Sequence, residues 1–205
     1  IGIDRITDAI ATNMKSAEHL EIDELLAFAT SAIREANNSD DVIAHVNKTC
    51  NIDLQVLSGE EEARFTFLAA RRWLGWSSGD LLVLDIGGGS LEIARGEEEN
   101  PIFKTSMQLG AGRLTRKFLK GDPFTSKSLK TLEFYLKEEI APLADSLSTY
   151  EKDIATGTSK TFRTLAKISQ NMFPKLGPHL TLEALNEFLP RLQKLDTGQR
   201  MELPA

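Results

Sequence analysis

The stretch LDIGGGSLEIARG, residues 84–96, sets three consecutive glycines between two apolar runs. Glycine carries a high entropic cost, so such a run belongs at a turn or where something approaches the backbone closely. A dinucleotide fingerprint would need G-x-G-x-x-G opening a helix, and a Walker-type loop would need Gly-Lys-Ser/Thr. Here Leu91, Glu92, Ile93 and Ala94 alternate, so the glycines join two strands and both motifs are excluded. A tight hairpin turn and a small concavity of N–H groups for an anion both stand open at this point. Asp85 closes the first apolar run. A carboxylate there is expensive unless it is hydrogen-bonded or holds a cation, typically through Mg²⁺-bound water. Glu92 is the second nearby acid, and a solvent-facing place on the hairpin accounts for it equally well.

Around this hairpin the chain alternates helices and strands. Ile6, Ile10 and Met14 share one face of a helix, ELLAFAT reads as a buried strand, and SDDVIAHVNKTC as a helix capped by Ser39 with Val42, Ile43 and Val46 inward. IDLQVL alternates as a strand and SGEEEARFTFLAARRWL is a strong helix. That order argues for an α/β layered domain. The Gly/Ser-rich GWSSGD is expected to be a domain boundary, giving residues 1–78 and 79–205. Beyond it come the strands LLVLDI, SLEIARG and NPIFKTSMQLG, and a short helix at GRLTRKFL. A long helix follows over 125–147, broken at Pro142, then a strand–turn–helix in DIATGTSKTFRTLAKIS and a helical remainder.

Three further stretches carry chemistry. In LSGEEEARF, Ser58 and Glu61 have capping-box spacing, and acids in a first turn favour the helix dipole. Glu62 projects about 100° further round the helix than Glu61, free of that task. Three solvated acids remain the plainer account. In ATSAIREANN, Ser31 and Arg34 follow a strand end, where ligands gather in open α/β sheets. Arg34 is either a planar fork for phosphate oxygens or an ordinary surface arginine. Gly157, Thr158, Ser159 and Lys160 combine a helix N-terminus with a point charge, which suits phosphate, although a simple N-cap would look the same.

The four stretches FATSAIREANN, LSGEEEAR, LVLDIGGGSLEI and GTSKTFRTLA, in this order, resemble the exopolyphosphatase / guanosine pentaphosphate phosphohydrolase family. The resemblance runs from near the start to about residue 170. It implies the actin-like ATPase architecture, two ribonuclease-H-like α/β domains with a cleft between them, the first of them incomplete here. It implies Mg²⁺-dependent release of a terminal phosphate, with Glu62 matching the glutamate that activates the attacking water. Asp85 and Glu92 match acids of the second phosphate loop, with Asp85 the expected Mg²⁺ site. Gly87, Gly88, Gly89 and Ser90 match that loop's cradle, Arg34 the arginine that engages polyphosphate, and Gly157 to Lys160 a further Gly-rich loop. Inorganic polyphosphate is the expected substrate, with guanosine pentaphosphate as the alternative; a non-catalytic nucleotide- or polyphosphate-binding regulator is a third reading. A homodimer is expected.

Two departures stand out. Leu91 occupies a place where many members have Thr, and the family's first phosphate loop, Asp-x-Gly-Ser-Asn, has no counterpart in these 205 residues. A C-terminal Leu-Arg-Glu-Gly stretch is also missing. The opening IGIDRITDAI lacks a Met and reads like the interior of a protein.

Composition limits the partners. A net charge of −6 argues against a broad basic surface for nucleic acid or acidic lipid, which leaves positive potential concentrated at Arg34, Lys160 and Arg64. The single Cys50 rules out a disulfide framework and fits the reducing cytoplasm. No apolar stretch is long enough to span a bilayer, so no membrane partner is expected. His19, His45 and His179 do not sit beside a marked serine, so a covalent intermediate is not expected.

Overall fold

The computed structural model describes residues 2–147 and 154–204. Two compact units divide the chain, Ile1–Glu62 and Ala63–Ala205.

In the first unit, α1 (Gly2–Ala17) is followed by β1 (Ala27–Ala29), α2 (Ser31–Arg34), α3 (Ser39–Cys50) and β2 (Leu54–Val56). β1 and β2 pair in parallel, Ala27 with Leu54 and Ala29 with Val56. α3 buries Val42 and Val46 as its spacing requires. Its N-cap is Asn38 rather than the expected Ser39. It ends at Asn51 in the left-handed region, φ 50°, which Asn tolerates better than most residues. The expected buried strand ELLAFAT is shorter and more open than its composition suggests. Only Ala29 is buried, Phe28 is exposed, and Leu25 and Leu26 lie before the strand with more than half their surface in water. Two three-residue strands offer too little sheet to cover such a run.

The helix α4 (Gly59–Leu74) starts in the first unit and continues into the second. There a four-stranded sheet has the order β5-β4-β3-β6, with β3 Leu81–Ile86, β4 Leu91–Gly96, β5 Phe103–Met107 and β6 Ile154–Thr158. β4 runs antiparallel to both neighbours, and β6 lies parallel to β3. Asp153, at the head of the expected sixth strand, lies outside the described residues. Ala63 and Phe67 of α4 pack with Leu81, Val83 and Ala94 on one face. Burying Phe67 completely contributes roughly 1.5–3 kcal/mol. On the other face, Leu91, Ile93 and Leu109 pack with Leu82, Leu84 and Ile86, with Leu114 of α5 (Ala111–Phe118), and with Tyr135 and Leu136 of α6 (Ser126–Ile140).

Two apolar layers explain why SLEIARG does not alternate between core and water. β4 is an inner strand, buried at every position except Arg95, and its alternation switches between two cores. The break at Pro142 takes the form of a 3₁₀ turn, Ala141–Leu143, before α7 (Ala144–Leu147). GWSSGD forms another 3₁₀ turn, Trp76–Ser78, inside the second unit. Buried Arg71 clips it to β4, donating to Ser78 Oγ at 2.7 Å, the Gly79 carbonyl at 2.7 Å and the Gly96 carbonyl at 2.6 Å. The compact units part within α4, whose apolar face belongs to the sheet. The helices α8 (Ser159–Met172), α9 (Leu182–Leu192) and α10 (Thr197–Met201) complete the chain. No helix among the described residues is long and apolar enough to cross a membrane.

Candidate active site

The start of α4 separates its three acids by task. The Ser58 N–H donates to Glu61 Oε2 at 2.8 Å, and the Glu61 N–H donates to Ser58 Oγ at 3.2 Å. This reciprocal capping box is the one expected from the spacing. Glu62 turns elsewhere. Its Oε2 accepts from Arg34 Nη1 at 3.1 Å, and the same Nη1 donates to the Leu57 carbonyl at 2.7 Å. Both side chains are about four-fifths buried, so neither is an ordinary solvated charge. The parallel pairing of β1 and β2 makes this possible. It brings both strand C-terminal ends to one edge, with Arg34 five residues beyond Ala29 and Glu62 six beyond Val56. The guanidinium has five N–H donors, of which Nη1 makes both of these bonds, leaving Nη2 and Nε without a bond among the described residues.

In the second unit the glycine loop is closed by the Gly87 N–H donating to the Ser90 carbonyl at 3.0 Å. Its three glycine carbonyls all turn toward the start of α5. Gly87 O accepts from the Ala111 N–H at 2.9 Å, Gly88 O from the Arg113 N–H at 3.0 Å, and Gly89 O from the Gly110 N–H at 3.2 Å and Arg113 Nε at 2.9 Å. A trans peptide is planar, with C=O and the next N–H on opposite edges. The N–H groups of Gly88, Gly89 and Ser90 are thereby turned away from α5. None of the three glycines has positive φ, so left-handed turn geometry is not why they are glycines. Nor does crowding exclude a side chain at the first two, since a Cβ on Gly87 would meet only Ser90 O at 3.5 Å and one on Gly88 nothing within 4 Å. Close approach instead requires the glycines ahead of α5: a Cβ on Gly110 would collide with the backbone of Gly89 and Ser90, and one on Gly112 would lie 3.1 Å from Gly88 O. Gly110, Gly112 and Arg113 escaped the sequence reading. The signal was a second pair of glycines ahead of a short helix.

Strand register lines up Thr158, Asp85, Glu92 and Ser106 across β6, β3, β4 and β5. Directly paired residues share a sheet face, so the two carboxylates are neighbours. Glu92 is 2% exposed and accepts from Ser106 Oγ at 2.8 Å, which excludes the solvent-facing position. Asp85, half-buried, makes no side-chain hydrogen bond among the described residues. Those residues contain no group of three or more His, Cys, Asp and Glu side chains that could hold a metal by themselves. Two adjacent carboxylates still suit Mg²⁺, which keeps several waters and takes further oxygens from substrate phosphates.

The Gly157–Lys160 turn is tied to the same strand end. Ser159 Oγ and Thr161 Oγ1 both donate to the Ile86 carbonyl, at 2.9 and 2.8 Å, immediately before Gly87. Ser159 holds φ 73°, a left-handed conformation that costs a non-glycine residue roughly 1–2 kcal/mol. Gly157 has no room for a side chain because the Phe162 ring packs against it. With the Ser159 hydroxyl hydrogen committed to β3, Lys160 and the turn's backbone N–H groups are what it can present to an anion.

A sequence model of the Ppx/GppA phosphatase family matches residues 1–205, and the chain belongs to that family. Exopolyphosphatase 1 of Mycobacterium tuberculosis is 42% identical over 207 residues, an alignment covering 98% of this chain and 60% of that protein. Exopolyphosphatase 1 of Mycobacterium leprae is also 42% identical, over 205 residues and the same shares. The crystal structure of an exopolyphosphatase from Cytophaga hutchinsonii superimposes with a TM-score of 0.86 at 26% identity, covering 98% of this chain and 67% of that one. The Aquifex aeolicus member of the Ppx/GppA family gives 0.77 at 23% identity, covering 98% and 65%. The chain thus spans about 60% of the length of these curated relatives.

Proposed function

We propose that the protein is a Mg²⁺-dependent exopolyphosphatase that hydrolyses the terminal phosphoanhydride of inorganic polyphosphate. The observation that carries this reading is the orientation of the Gly87–Gly89 peptides, whose carbonyls face α5 and whose N–H edges face the other way. A concavity of N–H groups suits an anion. The name carried by the Mycobacterium relatives supports polyphosphate as that anion.

The residues then take distinct parts. Glu62 accepts a proton from the attacking water, as a general base held in place by Arg34. As the water oxygen bonds to the terminal phosphorus, the bridging P–O bond breaks and the shortened polyphosphate leaves with that electron pair. The loop N–H groups bind the terminal phosphoryl oxygens, in keeping with phosphoryl transfer as mainly positioning and electrostatic stabilisation. Arg34 Nη2 and Nε, with Lys160, are the cations for polyphosphate oxygens. Asp85, with Glu92 beside it, would hold Mg²⁺, which supplies charge that offsets that of the phosphates. In this reading the chain comprises residues 1–78 and 79–205 of two ribonuclease-H-like domains of the actin-like ATPase type, and works in the cytoplasm.

A second reading, removal of the 5′ γ-phosphate of guanosine pentaphosphate, draws on the same loop, whose backbone groups read a terminal phosphoryl and not what lies behind it. Phosphate release from each substrate, with and without Mg²⁺, separates the two. Mg²⁺-dependent release from polyphosphate is expected. Release from guanosine pentaphosphate alone would favour the second reading, and binding without release from either would leave a regulator.

A further inference from the structure

We infer that the segment Gly110–Arg113 is the positioning device of the phosphate loop, with Arg113 the side chain that sets the loop's aim; this rests on the phosphate-binding reading above. The hairpin between β3 and β4 is already closed by the bond from Gly87 to Ser90. Four further bonds reach the loop from this segment, and they fix something closure leaves free, namely the rotation of each peptide plane. Arg113 supplies two of the four, its N–H to Gly88 O and its Nε to Gly89 O.

These backbone donors belong to the cap and first turn of α5, where N–H groups have no partner within the helix. Such donors commonly bind a ligand directly. Here they bind the loop's carbonyls, and the ligand-facing N–H groups follow on the opposite edge of the same planes. Rotating the Gly89 plane would bring its carbonyl oxygen round toward the phosphate and take the Ser90 N–H away. Gly110 permits the approach because any side chain there would overlap Gly89, while a Cβ on Gly112 would press on Gly88 O at 3.1 Å.

Arg113→Ala removes the bond to Gly89 O and keeps the backbone bond to Gly88. Arg113→Lys keeps the charge without the Nε donor. Polyphosphate hydrolysis, melting temperature and the amide resonances of Gly88, Gly89 and Ser90 in the unliganded protein are compared with the parent. Arg113→Ala is expected to raise KM about tenfold, the worth of one hydrogen bond from a charged group, with kcat nearly kept. The three amide resonances should shift, and Arg113→Lys should restore the melting temperature without restoring KM. Gly110→Ala should shift the same resonances further, provided it folds.

A fall in melting temperature and active fraction with parental KM would mark Arg113 as merely structural and overturn the inference. So would parental KM and amide resonances in Arg113→Ala, or full rescue of KM by Arg113→Lys. If the parent neither hydrolyses nor binds polyphosphate, the functional reading fails. The amide resonances then decide the positioning role alone: shifted in Arg113→Ala they uphold it, and unmoved they overturn it.

Discussion

The Arg34–Glu62 corner and the Gly87–Ser90 loop handle charge in opposite ways. The corner consists of two ionised side chains, mostly buried, bonded to each other and to one carbonyl. The loop is almost all backbone, oriented by a neighbouring helix start. A side-chain site can be altered one atom at a time, and each alteration moves a charge or a proton. A backbone site has no side chain to remove, so it is reached only through the residues that hold it. The corner is therefore expected to govern turnover and the loop to govern affinity.

The largest expected effect tests the corner. Glu62→Gln keeps the side chain's size and its ability to accept from Arg34, but cannot take the water's proton. Turnover should fall roughly 10²–10⁴-fold, the usual range for a general base, with melting temperature and substrate affinity held. Normal turnover would remove Glu62 from the chemistry and the contrast with it.

Asp85→Asn comes next, on the loop side. It leaves the hairpin pairing intact and weakens a metal ligand, so the Mg²⁺ concentration for half-maximal activity should rise roughly tenfold or more, as changes around metal sites do. An unchanged Mg²⁺ titration would show that Asp85 holds no metal.

Arg34→Ala sharpens the comparison, since Arg34 can act on phosphate or through Glu62. Polyphosphate binding should weaken by about 1.5–3 kcal/mol and become less sensitive to salt. Repeating the change in a Glu62→Gln background separates the routes. If Arg34 works through Glu62, its effect on turnover shrinks there; if it binds phosphate independently, the full loss of affinity remains.

Glu61→Ala is the smallest change. It removes one arm of the capping box and should lower stability by about 1 kcal/mol in thermal or urea unfolding, with turnover kept. A folded but inactive Glu61→Ala beside a fully active Glu62→Gln would shift the base by one residue along the helix.

What could be read from the sequence was short in range. Ser58 and Glu61 are three residues apart on one helix start, so their spacing alone determined the cap, and by elimination left Glu62 free. Three glycines between alternating runs determined a hairpin, and Asp85 before them a strand end, because strand periodicity is a local property. The partner of Glu62 was not legible. Arg34 lies 28 residues away, and only the parallel pairing of β1 with β2 brings the two together. Glu92 looked equally able to face water until β4 proved to be an inner strand with a core on each side. The sequence likewise determined that the loop is bare, but not which way its peptides point. A glycine backbone has no preference strong enough to orient them, and it took the approach of Gly110 and Arg113 from the next helix to turn the carbonyls inward and the N–H groups out.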